Sequence, residues 1–199
     1  MAVYALYHQK GGTGKSTLAV ALSWRLAQSG ASVLLLDADD QGTASHWYES
    51  VGEALNLPLL VRHQLLQTLP EALPRFTPQF EHVIIDAPPR LETALVDLLA
   101  ICDRLIIPCR PTLPDIWSLE GLSALLAQAQ AKRAAPLPAM IAINHYRGED
   151  LGPLHAQAVA YHLSVMDAPI PWDPAFAALF SGAPLPEHFS QLLENLLPR

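Results

Sequence analysis

The sequence predicts an α/β fold, a layered and mainly parallel twisted sheet with helices on both faces. Three observations predict it. Short apolar, β-rich runs alternate with longer stretches of helical pattern, an alternation that demands parallel crossovers. The strand candidates are almost continuously apolar, as strands covered on both faces must be. A glycine-rich turn also lies where the first strand hands over to the first helix.

In chain order, the first strand is "VYALY" (3–7) and the turn leads into a helix over 15–29, with Gly30 as its C-terminal stop. Next come the strands "SVLLLD" (32–37) and "LPLLV" (57–61), a helix over roughly 64–74, the strand "HVIID" (82–86) and a helix over 91–101. The strand "RLIIPC" (104–109) precedes a helix over 115–132, for which Asp115 after Pro114 is the expected N-cap. The remainder reads as the strand "AMIAIN" (139–144), a helix over 151–164, a short strand "API" (168–170) and helices over 174–180 and 187–197. Prolines become frequent from about residue 134, as in "APLPAM", "APIPWDP" and "GAPLPE", which marks irregular loops but neither a linker nor a repeat. Residues 1–199 are therefore expected to form a single domain.

Composition narrows the function. At 199 residues, 51% hydrophobic and 16% charged, the chain can bury a core without staples. No apolar run reaches about 18 residues, and the N-terminus enters a strand without a signal segment, so a cytoplasmic protein is expected. Cys102 and Cys109 form no C-x-x-C pair and read as small buried hydrophobes. The net charge of −7 argues against a chain that coats nucleic acid, while leaving room for a local basic patch. His155 and His162 are seven apart, too far for an i,i+4 bite on a metal, and His8, His46 and His145 lie in separate motifs. Trp47 and Trp117 suit a partner surface or the core equally.

The chemistry concentrates in three places. "YHQKGGTGKSTL" (7–18) nearly matches the phosphate-loop pattern but has Gln9 where the first glycine should stand, and a second lysine, Lys10, ahead of the glycines. Gly11, Gly12 and Gly14, with Thr13 and Thr17, would turn backbone N–H groups around a phosphate at the helix N-terminus. Lys15 would place its charge on the β/γ-phosphates, and the Ser16 hydroxyl would ligate Mg²⁺. A glycine turn with a chance lysine is the plain alternative, and the flanking strand and helix argue against it. "LLLDADDQGT" ends a strand with Asp37 and Asp39, and "HVIIDAPP" ends another with Asp86. Four apolar residues followed by an acid is the pattern that serves Mg²⁺ in nucleoside triphosphatases, and ligands gather at such strand ends. Solvated strand-end acids are the alternative.

With "KGGTGKST", "DADDQGT", "VIIDAPP" and "LIIPCRPTLPDIWSLEG" (105–121) together, the chain resembles the ParA/MinD deviant Walker ATPases, P-loop NTPases, and most closely the small ParA-type partition proteins. The likeness runs from residue 1 to about 125 and continues more weakly through "AIN" and "PWDPAFAALFSGAPLPE". The resemblance implies that Lys10 reaches across a nucleotide-sandwich homodimer to the partner's phosphates, while Lys15 acts in cis. It further implies that Asp39 orients the attacking water, that Asp37 is a switch carboxylate near Mg²⁺, and that Asp86 is the Walker B acid. Asn144 would contact adenine, and the loop 170–174, with Pro171, would close the base pocket. One departure stands out: the family usually has proline where this chain has Asp40.

The same comparison separates subfamilies. Iron-protein relatives need a cysteine after the Walker B segment, where this chain has Ala87-Pro88-Pro89, and iron-sulfur carriers need C-x-x-C. The tail "PEHFSQLLENLLPR", with Glu187, Glu194 and a single Arg199, lacks the basic amphipathic character of a membrane anchor and the tyrosines of kinase relatives. The implied function is an Mg²⁺- and ATP-dependent dimerising ATPase that switches to position a plasmid, chromosome region or protein cargo. A ParB-like or other protein would stimulate it, and non-specific DNA binding at the nucleoid would use Lys132, Arg133 and Arg147. The alternative is an ATP-sensing regulatory binding protein with little useful turnover, for which Asp40 is the only support.

Overall fold

The computed structural model describes residues 2–90 and 92–197; Leu91, the expected start of one helix, and Arg199 lie outside the described residues. Seven strands form one sheet: β1 (Ala2–Leu6), β2 (Val33–Asp37), β3 (Leu59–His63), β4 (His82–Asp86), β5 (Arg104–Cys109), β6 (Ala139–Ile143) and β7 (Ser164–Val165). Their order is β3-β2-β4-β1-β5-β6-β7, and every neighbouring pair is parallel. The interior strands are apolar between their ends because helices cover both faces; Val33 to Leu36, Val83 to Ile85 and Leu105 to Ile107 are fully buried.

After β1 the chain crosses towards the β3 edge, and after β4 it crosses towards β7. With right-handed crossovers, the helices following these strands fall on opposite faces. On one face lie α1 (Lys15–Gln28) and α2 (Thr43–Trp47), packed with α8 (Ala175–Ala178) and α9 (His188–Glu194). The other face carries α3 (Leu69–Phe76), α4 (Thr93–Ile101), α5 (Leu113–Trp117), α6 (Leu119–Gln130) and α7 (Gly152–Ala160). The divergence leaves a crevice at the carboxyl ends of β1 and β4, where open parallel sheets bind ligands.

Gly30 stops α1 as expected. At φ +92° its N–H bonds the Ala27 carbonyl while Ala31 N–H bonds that of Leu26, satisfying the last carbonyls of the helix. Both cysteines are buried.

Several boundaries differ from the sequence expectation. Asp115 is not an N-cap: Thr112 holds that position, and Asp115 lies buried in the first turn of α5. The expected helix over 115–132 is two helices, because the Ser118 carbonyl is taken by Gln9 Nε2 at 2.7 Å and the Ser118 hydroxyl folds back onto the Asp115 carbonyl. The helix predicted over 64–74 starts at Leu69, after a 3-10 turn over Leu66–Thr68. The helix predicted to reach 164 ends at Ala160, where Leu163 N–H returns to the Ala158 carbonyl and His162 takes φ +54°. His155 and His162 therefore do not share a helix. The last strand is Ser164–Val165 and not 168–170. Pro169 and Pro171 lack N–H groups, so that segment makes only isolated contacts beside β6, such as Ile170 N–H to Ile143 O at 2.8 Å. The short helix α2 and the widened π-helical turn over Tyr48–Gly52 were not legible as a helical pattern.

Candidate functional site

Residues 7–14 join β1 to α1 across the crevice. Gly12 and Gly14 have φ +74° and +95°, left-handed conformations that turn N–H groups inward and that other residues adopt at a cost. Gly14 is doubly constrained, since a Cβ there would run into Asn144 Nδ2. Nothing lies within 4 Å of a Cβ at Gly11 or Gly12, so that side of the loop has room for a ligand. No side chain caps α1, which leaves its first N–H groups to an anion. Lys15 is buried, and its ammonium donates to the Lys10 carbonyl at 3.2 Å. Burial holds its pKa below the usual lysine value, with Asp86 and Asp39 opposing the shift. Ser16 and Thr17 are half-buried on the first turn of α1. Thr13 is buried in the loop with its hydroxyl unpartnered.

The acids end neighbouring strands. Asp37 and Asp86 are register partners across β2 and β4, and both are fully buried. Asp86 has neither carboxylate oxygen in a hydrogen bond of good geometry. Burial raises its pKa to about 7, and the nearby Ser16 hydroxyl only partly offsets this. A buried carboxylate without a partner is costly unless a cation completes it, so Asp86 with Ser16 fits a hard divalent ion. Asp37 is used differently: its oxygens accept the N–H groups of Asp39 at 3.2 Å and Ser45 at 2.8 Å, tying the loop after β2 to the start of α2. Asp39 is half-buried in that loop and accepts the Gln41 N–H at 3.1 Å.

Lys10 stands at the mouth of the loop with 37% of its side chain exposed, 3.4 Å from Asp115 Oδ1. Arg110 grips the same carboxylate, with Nε 2.6 Å from Oδ2 and Nη2 3.1 Å from Oδ1. Burial alone would raise the Asp115 pKa, but the Arg110 and Lys10 bonds outweigh it and hold the carboxyl below its usual range. Beneath them His8, 1% exposed, accepts the Lys10 N–H on Nδ1, which leaves Nε2 to donate to the Ser118 hydroxyl. Burial lowers the His8 pKa to about 4. Sequence reasoning missed this cluster. Arg110 and Asp115 lay inside a recognised motif, but only the packing of α5 against the loop shows that they hold Lys10.

On the other side of the loop Asn144, at the end of β6, donates Nδ2 to the Thr13 carbonyl at 2.8 Å and so braces the loop. A cavity of about 410 Å³ opens beside it, lined by Thr17, His145, Trp172, Pro174, Phe176 and Phe180. Asn144 and Pro171 each adjoin a lining residue, and a bridge between Tyr146 and Pro171 joins their loops. Arg147 stacks on Trp172 with its guanidinium carbon 4.4 Å from the ring centroid. The other two cations considered for DNA are also engaged. Lys132 pairs with Asp97, and Arg133 Nη1 donates to the Leu99, Ala100 and Cys102 carbonyls at the end of α4. Trp47 is core, 5.7 Å from Trp24, whereas Trp117 is 63% exposed.

Residues 4–185 match the CobQ/CobB/MinD/ParA nucleotide binding domain family. The chain is similar to Maintenance of carboxysome distribution protein A of Halothiobacillus neapolitanus, 30% identical over 70% of this chain and 64% of that protein. It is also similar to the chromosome-partitioning ATPase Soj of Thermus thermophilus, 30% identical over 74% of this chain and 70% of Soj. The chain thus spans less than two thirds of the Halothiobacillus protein. A solved structure of a Cyanothece McdA variant in complex with ATP superimposes with TM-score 0.79, covering 98% of this chain and 95% of that one at 17% identity. At that identity the likeness speaks for the fold.

Proposed function

Because the chain belongs to the CobQ/CobB/MinD/ParA family of nucleotide-binding domains, we propose that it is an Mg²⁺-dependent ATPase that dimerises on ATP and works as a positioning switch. The observation that carries this reading is the pairing of a glycine loop, open at an uncapped helix N-terminus, with the unpartnered Asp86 carboxylate in the same crevice. A phosphate chain suits the first and a cation the second. The relatives' printed names supply the rest: partitioning, carboxysome distribution and a bound ATP.

In this reading Lys15 turns from the Lys10 carbonyl to the β/γ-phosphates in cis. Lys10 leaves Asp115 and reaches the phosphates of a second copy, stabilising charge in trans as an arginine finger does. Ser16 and Asp86 would hold Mg²⁺, with Asp37 ordering the adjoining loop; the ion would neutralise charge developing on the phosphates. Asp39 orients the attacking water. The base enters the cavity beside Thr17, with Asn144 and Pro171 at its edge. Two γ-phosphates joining two chains make dimerisation report the nucleotide state. The cargo is a plasmid, a chromosome region or a protein, and the stimulating partner is a ParB-like or other protein.

Turnover-free ATP sensing has only Asp40 in its favour, and the Asp40 carboxylate faces Arg90 at 3.5 Å. Phosphate release from Mg²⁺-ATP, with and without DNA and the product of the neighbouring gene, tests the reading. Slow release that a partner accelerates is expected, and its absence in every condition would contradict it.

A further inference from the structure

The loop between β2 and α2 is a tight turn. The Asp39 carboxylate accepts the Gln41 N–H, and the Asp39 carbonyl accepts that of Gly42, whose φ is +63°. These bonds pass Asp40 by, and its side chain is 57% exposed. It is held from the neighbouring strand instead. Arg90, in the loop following β4, places Nη1 3.5 Å from Asp40 Oδ2. The register explains the meeting, since Asp37 and Asp86 are partners and Ala38 N–H to Asp86 O carries the pairing one residue further. Among the described residues, Asp40 is the one carboxylate that pairs with Arg90.

We infer that Arg90 is a positioning residue for hydrolysis: by clasping Asp40 it holds the Asp39 turn above the crevice. This rests on the ATPase reading above. The clasp does electrostatically what a proline at 40 does covalently, which is to limit the conformations open to the turn. An exposed pair is screened by salt, so the placement of Asp39, and with it turnover, becomes sensitive to ionic strength. Arg90 acts through Asp40 and not on the nucleotide, so its loss lowers kcat and leaves KM.

The test compares the parent with Arg90→Ala, Arg90→Lys, Asp40→Pro and the double variant Asp40→Pro/Arg90→Ala. Mg²⁺-ATP hydrolysis is followed from about 50 to about 500 mM salt, and amide exchange of residues 38–43 is measured in nucleotide-free protein. Arg90→Ala is expected to lower kcat by about two- to five-fold, the scale of an exposed ion pair, with KM unchanged and faster exchange of the turn. Arg90→Lys restores most of the loss. In the Asp40→Pro background both the Arg90→Ala effect and the salt dependence disappear. An Arg90→Ala loss that persists beside Asp40→Pro overturns the inference, because Arg90 then acts elsewhere. Parent-like turnover and exchange in Arg90→Ala overturn the clasp while leaving the ATPase reading standing. A parent without hydrolysis even when DNA and the product of the neighbouring gene are added overturns that reading and the positioning role together, whatever the exchange data show of the clasp.

Discussion

Lys15 and Lys10 lie five residues apart yet occupy opposite settings. Lys15 is buried at the N-terminus of α1, whereas Lys10 is part-exposed and parked on Asp115. Lys15→Ala should therefore abolish ATP binding, while Lys10→Ala binds nucleotide with nearly parental affinity and fails to dimerise. Fluorescent-ATP titration separates them, and equal loss in both would contradict the division of labour. His8 gives a pH dependence with a definite sign. Its pKa falls from 6.5 to about 4 in the fold, so the unfolded chain takes up the proton first. The stability that His8 contributes is whole above pH 6.5 and is lost as pH falls towards 4. The loss amounts to about 3 kcal/mol at about 1.4 kcal/mol per pKa unit. Asp86, raised to about 7, has the opposite slope, losing stability as pH rises through that range. The difference between parent and His8→Gln in urea unfolding isolates the His8 part, and parallel pH profiles would contradict it.

At the scale of elements, the strands and the loop were legible because continuous apolar runs and glycines report local geometry directly. Gly14 is the clear case: φ +95° demands glycine, and a Cβ there would also displace the Asn144 amide that braces the loop. What was not legible depends on partners distant in sequence. The α5–α6 break needs Gln9, the buried Asp115 needs Arg110 and Lys10, and the unpartnered Asp86 needs the whole crevice. Arg133 shows the same limit, since it was considered for DNA and in fact caps the carbonyls ending α4. Arg133→Ala should cost about 1–2 kcal/mol of unfolding free energy by losing charge-assisted bonds at a helix C-terminus. Its ATP hydrolysis should match the parent. Unchanged stability in denaturant titration would refute the capping role.

The whole molecule carries net charge −7 with 12 Lys and Arg, and the three cations considered for DNA are held by Asp97, by carbonyls and by Trp172. Affinity for DNA comes from neutralising several phosphates together, so binding to unrelated DNA should be weak, salt-sensitive and confined to the ATP dimer. A titration with ADP and with a non-hydrolysable ATP analogue across a salt series reads this; tight binding with ADP would contradict it. No helix among the described residues is long and apolar enough to cross a membrane. If ATP joins two copies through Lys10, light scattering of Asp39→Ala, which should hold ATP unhydrolysed, shows it. The expected result is twice the 21.7 kDa chain mass with Mg²⁺-ATP, the single mass with ADP, and the single mass with either nucleotide once Lys10→Ala is added. A single mass with ATP bound, or a dimer that survives Lys10→Ala, would contradict it.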